Sequence, residues 1–243
     1  WYTARSESSP PERTTATSTM RLMQGHSREQ VHRNGRKTTQ KTDSYMTLWT
    51  IQSEQAWAVL QETGVLQADR RHITEFAWLP AYEWMMRCMV ASVGPPPEPD
   101  CVPIWAWCQW EGKRKKPDLR CGGHLPKGEP GVRLELEIPD GTALLSDFSL
   151  WHYPLNYWYL PATGDDGDAF EEELASHGLS FYTQKPVPDA AYHEMIVRSW
   201  DCIFDLDWIE PDLSEPREKK SIQATIWEIR SDQVKSYRRF VSR

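Results

Sequence analysis

Three indoles fall within six residues, Trp105, Trp107 and Trp110, and four consecutive cations follow after two residues, Lys113, Arg114, Lys115 and Lys116. Indole faces stack rings and bases, and ammonium or guanidinium groups hold phosphate through charge-assisted hydrogen bonds. Asp118 and Arg120 end the stretch. Asp118 has a cation two residues to either side, Lys116 and Arg120, a spacing that keeps a carboxylate ionised and fixes Arg120 for a phosphate. The pattern points to a small phosphorylated or nucleotide ligand, with nucleic acid as the alternative on the same surface. A second constellation is Asp147, Trp151, His152 and Asn156. At helical spacing Asp147 and Trp151 share a face, as do His152 and Asn156. His152 is the candidate acid or base with Asp147 as its orienter; in the competing reading Asp147 caps a helix and His152 packs.

The rest of the composition narrows the classes. No GxxxxGK[ST], GxGxxG or HExxH motif is present, so phosphate loops, Rossmann cofactor sites and helical zinc sites lose their usual support. Cys101, Cys108, Cys121 and His124 form no paired knuckle, and buried thiols are expected there rather than a metal. Five cysteines, an odd number without close pairing, suit reduced thiols and a cytoplasmic setting. No apolar run approaches the ~20 residues of a membrane span. A net charge of -7 over 243 residues argues against non-specific coating of nucleic acid and makes a local basic cluster more unusual. Residues 1–45 carry eight Lys or Arg against four Asp or Glu and almost no aliphatic side chains, a disordered basic extension by composition.

Elements that must position these groups begin at Met46. Residues 47–52 read as a strand, Ser53 as the N-cap of a helix with Ala56, Trp57 and Leu60 on one stripe, Gly64 as its end, and 65–68 as extended. Pro80 opens a second helix that Gly94 and three prolines stop. Residues 102–110 read as one strand with Ile104, Ala106, Cys108 and Trp110 on one face and Trp105, Trp107 and Gln109 on the other. Both faces are apolar, which makes the strand central. Residues 132–138 alternate cleanly, with Val132, Leu134, Leu136 and Ile138 facing the core. Ser146 and Asp147 offer a cap for a helix over 148–152 that Pro154 ends. Residues 164–168 read as an acidic loop before a helix over 170–176. Asp189 caps a helix carrying Tyr192, Ile196, Trp200 and Ile203; 222–229 is a strand and 237–241 a last extended piece. Helices and strands interspersed without strict alternation predict one α+β domain over 46–243, its sheet mixed or mainly antiparallel.

From Met46 the chain resembles DUF3841, an uncharacterised bacterial family. The residues that carry this are LWTIQS at 48–53, IWAW at 104–107, KPDLR at 116–120, LLSDF at 144–148 with Trp151 and His152, and IQAT at 222–225 with Trp227 and Glu228. More distantly, the opening strand, helix, glycine and strand look like the start of ADP-ribosyltransferase-like domains. That resemblance implies NAD as a ligand, held by polar residues of the first strand, here Thr50 and Gln52. It also implies a catalytic Glu on a late strand, here the one carrying Gln223 and Glu228. Thr225 stands where that Glu is expected, and Glu228 lies three residues further on, facing the other way along an unbroken strand.

Overall fold

Alternating apolar positions and well-placed caps set out the described part of the chain, residues 44–73 and 75–243 of the computed structural model, in which Ser44–Arg243 packs as one compact unit. The expectation for the extension up to residue 45 lies outside these residues, apart from Ser44 and Tyr45. Strand β1 (Tyr45–Ser53) hands over to helix α1 (Glu54–Thr63) at Ser53, whose Oγ accepts from the Ala56 N–H at 3.1 Å. Gly64, at φ 78°, closes α1 by donating its N–H to the Leu60 carbonyl, a left-handed cap that glycine adopts without steric cost. Strand β2 (Val65–Asp69) follows, then α2 (Leu79–Val93), with Pro80 in its first turn and Tyr82, Trp84, Met85 and Met89 buried.

Strands β3 (Cys101–Val102) and β4 (Ile104–Gln109) replace the single strand expected over 102–110. Pro103 separates them, since proline offers no N–H to a ladder, and β3 joins a different sheet. Then come β5 (Pro130–Pro139), β6 (Leu144–Asp147), α3 (His152–Asn156), α4 (Gly164–Ser176) and α5 (Ala190–Ser199). Helix α4 starts six residues earlier than the sequence suggests. Thr163 caps it by accepting from the Asp166 N–H, and Asp165 and Asp166 suit the positive end of a helix, so the expected acidic loop is its first turns. Helix α3 begins at His152, where the expected helix ends, and Pro154 sits in its first turn, where no backbone donor is needed. Strands β7 (Ile222–Ile226), β8 (Glu228–Arg230) and β9 (Val234–Val241) finish the chain. The strand expected over 222–229 is thus broken at Trp227.

Six strands form an antiparallel sheet in the order β6-β7-β4-β1-β5-β9, and β3-β2-β8 form a second, smaller one. The class is α+β with an antiparallel sheet. Strand β4 is central, as its two apolar faces require. Its back face, with Ile104 and Ala106, packs with Val132, Leu134 and Leu136 against Trp57 and Leu60 of α1 and against Leu66 and Ile229 of the small sheet. Its front face, through Trp105, packs against α2 and the helical layer that holds Trp151, Ile196 and Trp200. No helix among the described residues is long and apolar enough to cross a membrane.

Candidate functional site

At the end of β4 the strand bulges. Trp107 lies opposite Gln223 of β7 and Gln109 lies opposite Ile222, so two β4 steps face one on β7. A bulge re-aims the side chains beyond it. Trp110, expected on the face of Ile104, instead lies with its ring 4.6 Å from that of Trp107. A tight turn follows. Trp110 and Lys113 exchange both backbone hydrogen bonds at 2.9 Å, with Glu111 at φ 46° and Gly112 at φ 70° between them. Two positive φ values mark the primed hairpin turn, which Gly accepts freely and Glu does not. Gly112 is required for a second reason: a Cβ there would meet the Glu218 carbonyl oxygen at 2.1 Å. The turn is docked on 217–221, with Gly112 N–H donating to the Lys220 carbonyl (3.0 Å), Glu111 N–H to Ser221 Oγ (3.0 Å), and Gln109 Nε2 to the Arg217 and Lys220 carbonyls (2.8 and 2.9 Å).

Around the turn the half-exposed rings form one corner. Phe148 lies edge-on to Trp107 at 4.9 Å, and His152 edge-on to Phe148 at 5.2 Å. His152 Nδ1 lies 3.1 Å from the Ser149 carbonyl, which can only accept, so that nitrogen carries a proton. The cross-strand row behind Trp107 is Gln223 and then Ser146, all on the front face. Gln223 is 5% exposed and Ser146 0%. Neither the Gln223 amide nitrogen nor the Ser146 hydroxyl has a hydrogen-bond partner among the described residues. Left without a partner, each of these two neighbouring groups costs about 1–3 kcal/mol.

Asp147 does not orient His152. Its Oδ1 accepts from the Ser149 and Leu150 N–H groups at 2.9 and 3.3 Å, the capping role, and its Oδ2 pairs with Lys220 Nζ at 3.3 Å. Both side chains are buried, 3% and 1% exposed, and Lys220 Nζ also donates to the Trp208 carbonyl at 2.9 Å. Lys220 therefore ties the Phe148 turn to the Trp110 turn, by its ammonium on one side and its carbonyl on the other. Sequence reading missed it, because Lys219 and Lys220 look like a solvated pair ahead of a strand. Phe148 and Gly112 were missed as site members too, although a glycine between Trp110 and the cations is the ordinary sign of a tight turn.

The chain after the turn is a strap across the front face. Lys116 Nζ reaches Glu135 of β5 at 3.3 Å, and the carbonyl of buried Pro117 accepts from Arg133 at 2.7 Å. Asp118 and Arg120 form their own exposed fork, with guanidinium to carboxylate contacts of 2.6 to 3.1 Å. These Arg120 bonds hold the Asp118 carboxyl well below its usual range. The Arg120 fork therefore faces a carboxylate of its own chain, while Lys113 and Arg114 are exposed at the turn.

Other predicted residues fall elsewhere. Trp151 is buried in the helical core, its ring 4.9 Å from Trp105. Asn156 donates to the His152 carbonyl at 2.8 Å, a bond within α3. Thr50 and Gln52 sit on the back face, Gln52 Nε2 donating to Thr50 Oγ1 (2.8 Å) and Thr50 Oγ1 to the Trp105 carbonyl (2.7 Å). Gln52 lines a cavity of about 60 Å³ with Ser53, Leu66, Gln67 and His72. Glu228, carried into the small sheet by the break at Trp227, accepts from Gln67 Nε2 at 3.0 Å. Thr225 is fully buried. The candidates thus separate into a front corner with the rings, His152, Gln223 and the cations, and a back group with Thr50, Gln52 and Glu228.

The family described as Domain of unknown function (DUF3841) matches residues 47–235, and the chain belongs to it. No curated protein and no solved structure matches the chain.

Proposed function

We propose that the domain binds a nucleotide at the front corner. The ring stacks against Trp110 and Phe148, and the phosphate meets Lys113, Arg114 and Lys116. The observation that carries the reading is the cluster of partly exposed rings, Trp107, Trp110 and Phe148, next to a cationic turn. Stacking surface with charge at the rim is what nucleotides and related cofactors use. NAD belongs in the same ligand class. The back group gives an ADP-ribosyl transfer reading less support, since Glu228 and Gln52 lie across the sheet from the stacking surface and the cavity beside Gln52 is about 60 Å³, room for water rather than for a nicotinamide nucleotide. Five unpaired cysteines suit a reducing, cytoplasmic setting.

The test is a thermal-shift and calorimetric panel of mononucleotides, NAD and inorganic phosphate. A nucleotide should raise the melting temperature where phosphate alone does not, and Trp110→Ala should abolish the shift. Equal stabilisation by phosphate and nucleotide, or an unaffected Trp110→Ala variant, rejects the reading.

A further inference from the structure

We infer that the occupant of this corner is a single-stranded nucleic acid, because a second anion site lies further along the same face at Arg133 and Arg238. The inference rests on the nucleotide reading above and gives its ligand class. Arg133 of β5 and Arg238 of β9 are directly opposed in the ladder, and both stand on the front face, since their neighbours Val132 and Leu134 fill the back core. Like charges facing each other across a ladder repel, so proteins avoid the arrangement unless something relieves it. Arg133 is held at the Pro117 carbonyl, whereas Arg238 is exposed and makes no hydrogen bond or ion pair among the described residues. Burial, and then the Arg238 charge, press Arg133 below the ordinary guanidinium range. The nearby carboxylates are already engaged, Glu135 by Lys116 and by Ser236, both at 3.3 Å, and Asp118 by the Arg120 guanidinium. A bridging anion would satisfy both guanidinium groups, and phosphate oxygens match their planar forks.

Position then decides what carries that phosphate. Strands β4, β1, β5 and β9 are consecutive and Trp107 lies in the row of Trp49 and Glu135, so Arg238 is three strand spacings across and two residues along from it, about 16 Å at the usual separations. The phosphate of a nucleotide stacked at the corner lies within reach of Lys113 and Arg114. A phosphate at Arg238 belongs to a following unit of the same strand. Lys116, at Glu135 of β5, lies between the two ends. A stacking platform followed by a cationic track is how single strands are held without base pairing.

The experiment uses the full chain, fluorescently labelled oligothymidine and oligouridine octamers, their duplexes, and the matching mononucleotides, with anisotropy measured over a range of salt. An octamer should bind at least tenfold more tightly than its mononucleotide and better than the duplex, whose bases are not free to stack. Arg238→Ala sits on an exposed edge and removes the cross-ladder repulsion, so the free variant should melt no lower than the wild type. It should lower the slope of log K against log salt by about 0.7, one single-strand phosphate contact, and leave mononucleotide binding unchanged. An unchanged slope, an octamer no tighter than a mononucleotide, or equal binding of duplex overturns the inference while the nucleotide reading stands. Failure of octamer and mononucleotide alike removes both.

Discussion

Replacing Lys220 with Met tests whether the buried Asp147–Lys220 pair holds the two turns of the corner together. The side chains are 3% and 1% exposed and 3.3 Å apart, and the ammonium also meets the Trp208 carbonyl at 2.9 Å. Lys220→Met removes one charge and leaves the Asp147 carboxylate buried. Breaking a buried pair on one side costs about 3–5 kcal/mol. The Ser149 and Leu150 N–H groups still serve Asp147 Oδ1, which places the expected loss near the lower end, about 3 kcal/mol. Adding Asp147→Asn keeps an oxygen for the cap and removes the stranded charge. The double variant should therefore recover at least half of that loss, because replacing both members of a buried pair is often close to neutral. Urea unfolding, with the slope checked for two-state behaviour, measures all three proteins. A loss below about 1 kcal/mol in Lys220→Met would refute the buried-charge reasoning, as would a double variant less stable than the single one.

Four further outcomes follow from the same geometry. Gln223→Met should stabilise the fold by about 1–3 kcal/mol by removing a buried amide nitrogen that has no partner among the described residues, a gain that denaturant melts read directly. Glu111→Gly should raise stability by about 1 kcal/mol, because a non-glycine residue at φ 46° carries left-handed strain, and the gain should show as a higher denaturation midpoint with no change in slope. Gly112→Ala must push on the Glu218 backbone, so it should cost more than about 1 kcal/mol and weaken ligand binding; a neutral substitution would mean the turn is not docked on 217–221. Cys121 is exposed, whereas burial, and then the charge of Asp201, push the Cys88 thiol up to about 11, so iodoacetamide at mildly alkaline pH should label Cys121 first by mass spectrometry.

How much of the fold could be read ahead depended on whether a local signal had a long-range competitor. Ser53, Gly64 and Asp189 act through bonds to residues two to four away, and each caps its helix as expected. Strand β5 needed only its own alternation, with Val132, Leu134 and Leu136 at 0% exposure. The misses lie where a partner far along the chain decides. Val102 reads as the start of the central strand, but it pairs with Ala68 because Pro103 cannot continue the ladder. Trp110 looks in register with Ile104 until a bulge, fixed by Gln109 reaching Arg217 and Lys220 across more than a hundred residues, turns it onto Trp107. Lys220 has no local signal at all, because its value depends on Asp147 arriving beside it.

The separation of the candidate site into two faces has the same origin. Along an unbroken strand, Gln223 and Glu228 are five residues apart and would face opposite ways, yet still belong to one sheet. The break at Trp227 does more than reverse a side chain. The Trp227 indole N–H donates to the Gly94 carbonyl at 2.9 Å, beyond the end of α2, and the backbone leaves β7 for the small sheet at that point. Glu228 then pairs with Gln67 of β2, beside Gln52, while Gln223 stays behind Trp107. A carboxylate that serves chemistry at the stacking corner would have to act through the sheet, which packed side chains on both faces prevent. The proposed binding at the front corner does not call on Glu228, so Glu228→Gln should leave nucleotide affinity unchanged in the titration that Trp110→Ala is expected to abolish. A matching loss in Glu228→Gln would place Glu228 in the ligand's reach and join the two groups into one site.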